Sequence, residues 1–453
     1  MALFKAYDIR GVVPDELDAD KAYAIGRATA HFIGQGPIAV GRDARVHSPS
    51  LTTALINGIR DEGIAVIDIG LVATPMLYFA VSSLDARAGV MVTASHNPGE
   101  YNGFKICREK AIPIGEASGL REIEALVGAR SGVDKAESRG GLTTQDVTDG
   151  YVDHALAVGG SCPPLKVAID CGNGMASVGL EPILEKLPIE VVRLHFEPDG
   201  SFPNHEADPL KVENLADVAA AIRREGADFG VAFDGDGDRA VFVDGNGEPV
   251  SADLATALIA RHMLERTPGA LVLYDLRSSR VVAEEVERAG GVARMCRVGH
   301  SFVKAQMREE EAIFAGELSG HLYFRFPGEL IADDGTAALV ALLDVLATEG
   351  KSLADLVAPL RCYAASGEIN RRVADVGHVL EEVGREHVSA PEVSDLDGLF
   401  VRYPTWWFNL RPSNTEPVLR LNLEADSAEE MERRRDEMLE RVESLAAGPP
   451  VGN

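Results

Sequence analysis

Three carboxylates alternate with glycine in Phe233-Asp234-Gly235-Asp236-Gly237-Asp238-Arg239. In an extended run, residues two apart share a face, so Asp234, Asp236 and Asp238 point the same way. The glycines let the backbone wrap closely round an ion. Hard oxygen donors without His or Cys favour Mg²⁺, which takes a few carboxylates plus a phosphate oxygen. An EF-hand calcium loop also opens on alternating acids. Its sixth position would be Gly and its twelfth Glu, whereas here they are Arg239 and Gly245. Arg239 is placed to stabilise charge on a transferring phosphoryl group.

Three further loops carry chemistry. Thr93-Ala94-Ser95-His96-Asn97-Pro98 leaves an apolar run, Ala88 to Val92, for a loop containing Gly99, Asn102 and Gly103. That exit exposes Ser95 at the tip, with His96 beside it as a proton acceptor and Lys105 a few residues on. Gly316-Glu317-Leu318-Ser319-Gly320-His321 follows an apolar run, and alternation puts Glu317, Ser319 and His321 on one side. A carboxylate and a hydroxyl presented together suit the vicinal hydroxyls of a sugar. Arg411-Pro412-Ser413-Asn414-Thr415-Glu416-Pro417 offers a guanidinium, two hydroxyls and an amide in a Pro-rigidified turn, a compact phosphate cradle to which Arg420 adds charge. Two lesser pieces join them. Gly299-His300-Ser301-Phe302-Val303-Lys304 sits at a strand-to-helix turn, and Tyr7-Asp8-Ile9-Arg10-Gly11 puts Arg10 beside the serine loop. Each piece alone also fits a plain polar turn. Together they describe phosphoryl transfer: a serine carrier, a Mg²⁺ site, a sugar-reading turn and a separate phosphate cradle.

The bulk numbers agree. At 453 residues the chain exceeds one core and calls for about three or four domains. Net charge is −27, from 71 acidic and 44 basic residues, which disfavours nucleic acid and anionic membrane as partners. A small anionic metabolite then needs a local cluster of cations. Only ten basic residues are Lys, so each Lys near a candidate site is informative. The five cysteines, Cys107, Cys162, Cys171, Cys296 and Cys362, are scattered without a C-x-x-C pair, as free thiols in a reducing compartment would be. The start reads as fold-like sequence without a signal peptide, and the longest apolar helix-like stretch, Thr336 to Ala347, is short and contains Asp344. A cytoplasmic protein, monomeric or weakly oligomeric, is expected.

Three segments share a strand–helix–strand rhythm: Ile38 to Gly70, Lys166 to Leu194 and Ala270 to Met295. Continuous apolar strands separated by helical patterns predict βαβ units and largely parallel sheets. From about Arg361 the pattern becomes α+β and antiparallel, with a helix from Asp375 to Glu386 capped by Asp375. The expected architecture is three similar mixed α/β domains (1–145, 146–248, 249–360) and a smaller C-terminal α+β domain (361–453) around one central cleft.

These four loops in this order, with the Tyr7–Gly11 start and Gly41-Arg42-Asp43, resemble the α-D-phosphohexomutases, in particular their bacterial phosphomannomutase/phosphoglucomutase branch, over the whole chain. The resemblance implies interconversion of hexose 6-phosphate and hexose 1-phosphate through a hexose 1,6-bisphosphate, which also acts as activator. It implies a phosphoserine at Ser95 and Mg²⁺ held by that phosphate with Asp234, Asp236 and Asp238. Arg411, Ser413, Asn414 and Thr415 would hold the unreacting phosphate. Arg239, Arg10, His96 and Lys105 would surround the transferring group, with Lys105 and His300 exchanging protons. Tyr7, Arg277, Glu317, Ser319, His321 and Arg420 would line the substrate. His47 and Arg277 depart from residues common in relatives. Glu317 and Ser319 are expected to grip hydroxyls that glucose and mannose share, and a site blind to C2 accepts both. Asn414 and Leu318 lean the same way. The alternatives are a phosphoglucosamine mutase, a phosphatase using the same serine, and an inert sugar-phosphate binder.

Overall fold

The apolar runs become strands and the amphipathic runs between them become helices, giving three mixed α/β sheets and one antiparallel sheet. The computed structural model describes residues 3–129, 132, 134–412 and 418–446. The first sheet runs Ile9–Val12, Tyr101–Arg108, Ala88–Val92, Ile38–Arg42, Val66–Leu71, Leu142–Thr144. The second runs Pro249–Val250, Ala240–Val243, Phe229–Phe233, Lys166–Asp170, Glu190–Leu194. The third is Ile331–Asp333, Leu322–Arg325, Phe314–Gly316, Leu271–Asp275, Val292–Cys296. All three share one order: the repeat's first strand lies between its second and third, and its fourth pairs with the third. One edge strand completes the second and the third, and two complete the first: Ile9–Val12 from the chain's start and Leu142–Thr144.

The sheets are less parallel than the apolar runs predicted. In each repeat the first three strands are parallel. The fourth turns back antiparallel on the third. A parallel return needs a crossover of about a dozen residues or more, and the segments after Val92, Phe233 and Gly316 are too short for one. Three of the chemistry-bearing loops are therefore hairpin turns. The fourth lies between Trp406–Pro412 and Val418–Ala425, which also pair antiparallel.

The C-terminal sheet is antiparallel throughout and packs under helices Val376–Glu386 and Ala428–Ala446, the expected α+β unit. Asp375 caps the first of these, accepting a hydrogen bond from His378 N at 2.9 Å. Trp406 stacks on Tyr403 with centroids 4.9 Å apart, inside that core. All five cysteines are unpaired. Among the described residues no helix is long and apolar enough to cross a membrane.

One core runs through the first three domains, joining Met76, Leu180 and Leu339. A buried polar tie sits at its edge. Asp344, in the apolar helix Gly335–Glu349, accepts from His262 Nε2 and Ser161 N, each at 2.8 Å, and pairs with Arg266. Burial raises the Asp344 pKa, but His262 and the neighbouring donors outweigh it and hold the carboxylate ionised. Removing one member of a buried ion cluster strands the rest. Asp344→Ala is expected to lower stability by about 3–5 kcal/mol, measured by urea unfolding; a change near zero would show the cluster to be solvated.

Candidate active site

Ser95 sits in the left-handed region at φ +52°, a conformation a non-glycine residue adopts only when its surroundings impose it. Arg45 imposes it. Its guanidinium, 1% exposed, donates through Nη2 to the carbonyls of Ser95 (2.8 Å) and Asn97 (2.6 Å). Nη1 donates to Pro98 O at 2.6 Å and Tyr101 O at 3.0 Å, while Nε donates to Asp43 at 3.1 Å. Four loop carbonyls are thus gathered by one buried cation, a burial made tolerable by its full set of partners. Sequence reasoning missed Arg45; the available signal was a charged pair, Asp43 and Arg45, directly after an apolar strand.

The expected exposure of Ser95 is overturned: the residue is only 1% exposed. The carboxylate loop of the second domain closes over it, and Ser95 Oγ donates to Asp234 Oδ2 at 2.9 Å. Gly235 makes this approach possible, since a Cβ there would lie 2.4 Å from the Ser95 carbonyl oxygen. His96 Nδ1 lies 3.2 Å from Ser95 Oγ. The cation Arg239, followed by burial, pushes the His96 pKa well below its ordinary value and keeps the imidazole neutral.

Asp234, Asp236 and Asp238 do converge, but through a turn instead of strand alternation. Gly237, at φ +78°, and Arg239 donate their N–H groups to Asp234 Oδ1 at 3.0 and 3.2 Å, curling the loop round its first carboxylate. All three are buried and can each offer an oxygen within 4.8 Å of the others. Lys105 Nζ donates to Asp236 Oδ2 at 2.6 Å and Asp238 Oδ2 at 2.5 Å, and Thr74 Oγ1 to Asp236 Oδ2 at 2.5 Å. Burial draws the Lys105 pKa down, but the two aspartates outweigh it and hold the amine as an ammonium. Even so, among the described residues Oδ1 of Asp236 has no hydrogen-bond partner, and Oδ1 of Asp238 faces only His321 Nε2 at 3.4 Å. Buried, under-satisfied carboxylate oxygens in a cluster of three carboxylates fit a hard divalent cation.

The third hairpin closes by Glu317 N to His321 O at 3.0 Å, with Gly320 at φ +86°. Here too a turn, not alternation, brings the side chains together: Ser319 Oγ is 2.9 Å from His321 Nδ1, and Glu317 Oε2 is 3.4 Å from it. Glu317 is fixed by Gly299 N at 2.7 Å and by the Tyr323 hydroxyl. Burial raises its pKa, but His321 and Arg277 outweigh that and keep it ionised. Against burial and Arg239, Asp238 and Glu317 raise the His321 pKa to about 9. Ala240 N donates to Gly320 O at 3.2 Å, so the second and third loops share backbone pairing. His300 lies beside them, its ring 6.5 Å from His321 and 5.8 Å from Tyr7. Burial, then Lys304, pushes its pKa down to about 3, and its buried Nδ1 has no hydrogen-bond partner among the described residues.

Arg411 and Arg420 face each other across the fourth hairpin and share a carboxylate that sequence reasoning did not single out. Glu368 lies 3.0 Å from Arg411 Nη2, 3.2 Å from Arg420 Nη1 and 3.8 Å from Arg277 Nη1. Three guanidiniums from two domains around one carboxylate have the charge and spacing for a dianion. Ser413, Asn414 and Thr415 lie outside the described residues. Arg10 pairs with Asp8 at 2.7 Å and donates to the Asn97 side chain, which sets it beside the serine loop as expected. The Tyr7 hydroxyl donates to Val298 O at 3.3 Å. Gly235→Ala should leave the fold intact by circular dichroism yet reduce turnover by roughly 10²-fold or more, because a misplacement of about 1 Å costs that much. Undiminished turnover would show that the loop contact is not needed.

Comparison with known proteins places this geometry. Four domain families match in order: phosphoglucomutase/phosphomannomutase α/β/α domain I over residues 1–132, domain II over 149–247, domain III over 251–363, and the C-terminal domain over 368–441. A Xanthomonas campestris protein named for phosphohexose mutases is 42% identical, over 93% of this chain and 94% of its own. The phosphomannomutase/phosphoglucomutase of Pseudomonas aeruginosa is 38% identical, over 99% of this chain and 97% of that one. A crystal structure of a phosphoglucomutase/phosphomannomutase family protein from Burkholderia thailandensis is 36% identical, covers 100% of this chain and 98% of that one, and superposes with a TM-score of 0.90. The chain thus belongs to the phosphoglucomutase/phosphomannomutase family of α-D-phosphohexomutases, and its activity is that of a hexose phosphate mutase.

Proposed function

We propose that the protein interconverts the 6- and 1-phosphates of mannose and of glucose by passing a phosphoryl group through Ser95. One observation supports this most directly. The Ser95 hydroxyl is held 2.9 Å from a carboxylate cluster in which, among the described residues, Asp236 Oδ1 has no hydrogen-bond partner and Asp238 Oδ1 faces only His321 Nε2 at 3.4 Å. A phosphate on Ser95 brings further oxygens to share a divalent cation with those carboxylates. Asp234, Asp236 and Asp238 are the residues that would hold Mg²⁺, whose chemistry there is neutralisation of charge on phosphoryl oxygens.

In the first half-reaction the bond between phosphorus and Ser95 Oγ breaks as the free hydroxyl of the bound sugar phosphate bonds to phosphorus. In net terms the hydroxyl's proton replaces the phosphoryl group on Oγ. The product, a hexose 1,6-bisphosphate, turns over within the site and returns its other phosphate to Ser95. His300, kept neutral, is suited to take the hydroxyl's proton, and His96 is neutral beside Oγ. Lys105, Arg239 and Arg10 supply positive charge around the transferring group. Arg277, Arg411 and Arg420, with Ser413, Asn414 and Thr415, form the cradle for the unreacting phosphate, and Glu368 must yield its place to that dianion. Glu317, Ser319 and His321 read sugar hydroxyls, and Tyr7 lies beside them. The structural repeats support divisions at 145/146 and 360/361; the division expected at 248/249 moves past Val250, because the short strand Pro249–Val250 pairs into the second sheet. The unpaired cysteines support a reducing, cytoplasmic setting.

Mutase assays on mannose 1-phosphate, glucose 1-phosphate and glucosamine 1-phosphate, each with Mg²⁺ and trace hexose 1,6-bisphosphate, test this reading. Comparable kcat/KM for the first two and little for the third is expected. A preference for glucosamine would move the protein to the other branch, and free phosphate in place of isomerised sugar would make it a phosphatase. Ser95→Ala should cut turnover by about 10³-fold or more while sugar phosphate binding remains measurable; wild-type turnover would remove Ser95 from the mechanism.

A further inference from the structure

A second cluster of metal-ligating groups lies in the second domain, apart from the carboxylate triad. Asp170 ends the strand Lys166–Asp170, and His195 directly follows its parallel neighbour, Glu190–Leu194. Both stand at the carboxyl edge of parallel strands, where α/β sheets place ligand sites. His205 reaches them from the loop that follows. Asp170, His195 and His205 can each offer a donor atom within 4.8 Å of the other two.

The details are those of a ligand set. Asp170 is fully buried; its Oδ1 accepts from Gly172 N at 2.8 Å, leaving Oδ2 turned to His205 Nε2 at 3.1 Å. The other nitrogen of His205, Nδ1, lies 2.8 Å from the Glu206 carbonyl. A carbonyl can only accept, so Nδ1 carries the hydrogen and Nε2 is the atom presented to the cluster. This carbonyl-locked imidazole is the orienting contact that metal-bound histidines use. The His195 and His205 rings lie edge to face at 5.1 Å, and Asp217 Oδ2 sits 3.0 Å from His195 Nε2 at the rim. His195 itself is held at φ +52°, away from the strand conformation that precedes it.

We propose that Asp170, His195 and His205 form a second metal site, taking a borderline transition ion such as Zn²⁺ and distinct from the all-oxygen triad of Asp234, Asp236 and Asp238. Two imidazoles and a carboxylate suit Zn²⁺, whereas three carboxylates suit Mg²⁺. The site stands at the root of the loop that braces both catalytic hairpins. Ala207 O accepts from Gly235 N at 3.1 Å. The backbone at Gly200 packs so closely on Arg45 that a Cβ there would lie 2.1 Å from the Arg45 Cα, and Phe202 lies 5.0 Å under the Arg45 guanidinium. An ion bound here fixes the brace between the serine loop and the carboxylate loop. The role is structural, with no step of the reaction passing through it.

The full-length protein, stripped with chelator and then saturated with Mg²⁺ to fill the triad, is titrated with Co²⁺. The expected result is one equivalent bound with the strong visible absorbance of a low-coordinate, nitrogen-ligated ion, unaffected by excess Mg²⁺ and displaced by Zn²⁺. Apparent affinity should fall at least tenfold in His195→Ala and His205→Ala, and Zn²⁺ should raise the melting temperature of the wild type but not of these variants. Asp217→Asn, at a side chain 57% exposed, should weaken binding by about 10–100-fold. No Co²⁺ signal in the Mg²⁺-saturated wild type, or an unchanged signal in the histidine variants, would overturn the site and leave two plain His–Asp ion pairs. Where a histidine variant does not fold, the wild-type titration and Asp217→Asn decide.

Discussion

The contact on which the structure turns is the electrostatic knot between the first and second domains. Three buried carboxylates on one short turn repel one another, and burial of such a cluster is costly unless cations meet it. Lys105 crosses from the first domain to meet Asp236 and Asp238, and Ser95 and Thr74 donate hydroxyls to Asp234 and Asp236. The aspartates therefore bind the two domains together only because those donors come from the other side. The same incomplete compensation that fixes the interface leaves room for one more cation and one more set of phosphate oxygens.

A topological device puts the knot where it is. Each α/β repeat lays down parallel strands and then reverses, and the reversal is too tight for a helix. Its turn projects beyond the sheet edge, so each repeat presents one hairpin, and the C-terminal domain adds another by a different route. The tips of the first three are tied to each other: Ser95 to Asp234, and Ala240 to Gly320. The fourth is joined through Glu368, which links Arg277 of the third domain to Arg411 and Arg420 of the fourth. A carboxylate in that place makes the cradle's charge tolerable before a phosphate arrives.

Much of this is legible in sequence because the chemistry demands particular residue types close together. Three aspartates with glycines between them, or a serine between a strand and a Pro/Gly loop, survive translation into structure whatever the backbone does. The local reasons given for them fared worse. Strand alternation and a tight turn can present the same residues on one side, and at Asp234–Asp238 and Glu317–His321 the turn is what occurs. Apolar runs do not say whether a strand is paired parallel or antiparallel; connection length does. The partners of Arg45 and Glu368 were invisible for a different reason. Each acts on residues distant in the chain, Arg45 on the carbonyls of Ser95 to Tyr101 and Glu368 on Arg277, and no local pattern records such a partnership.

The central claim is that Ser95 carries the phosphoryl group between sugars, and mass spectrometry of the intact protein tests it most directly. Protein incubated with Mg²⁺ and glucose 1,6-bisphosphate should gain one phosphoryl group, mapped to Ser95 by peptide fragmentation. It should lose that group to sugar when glucose 6-phosphate is added. An unmodified chain that still turns over substrate, or a phosphate mapped to another residue, would contradict the claim.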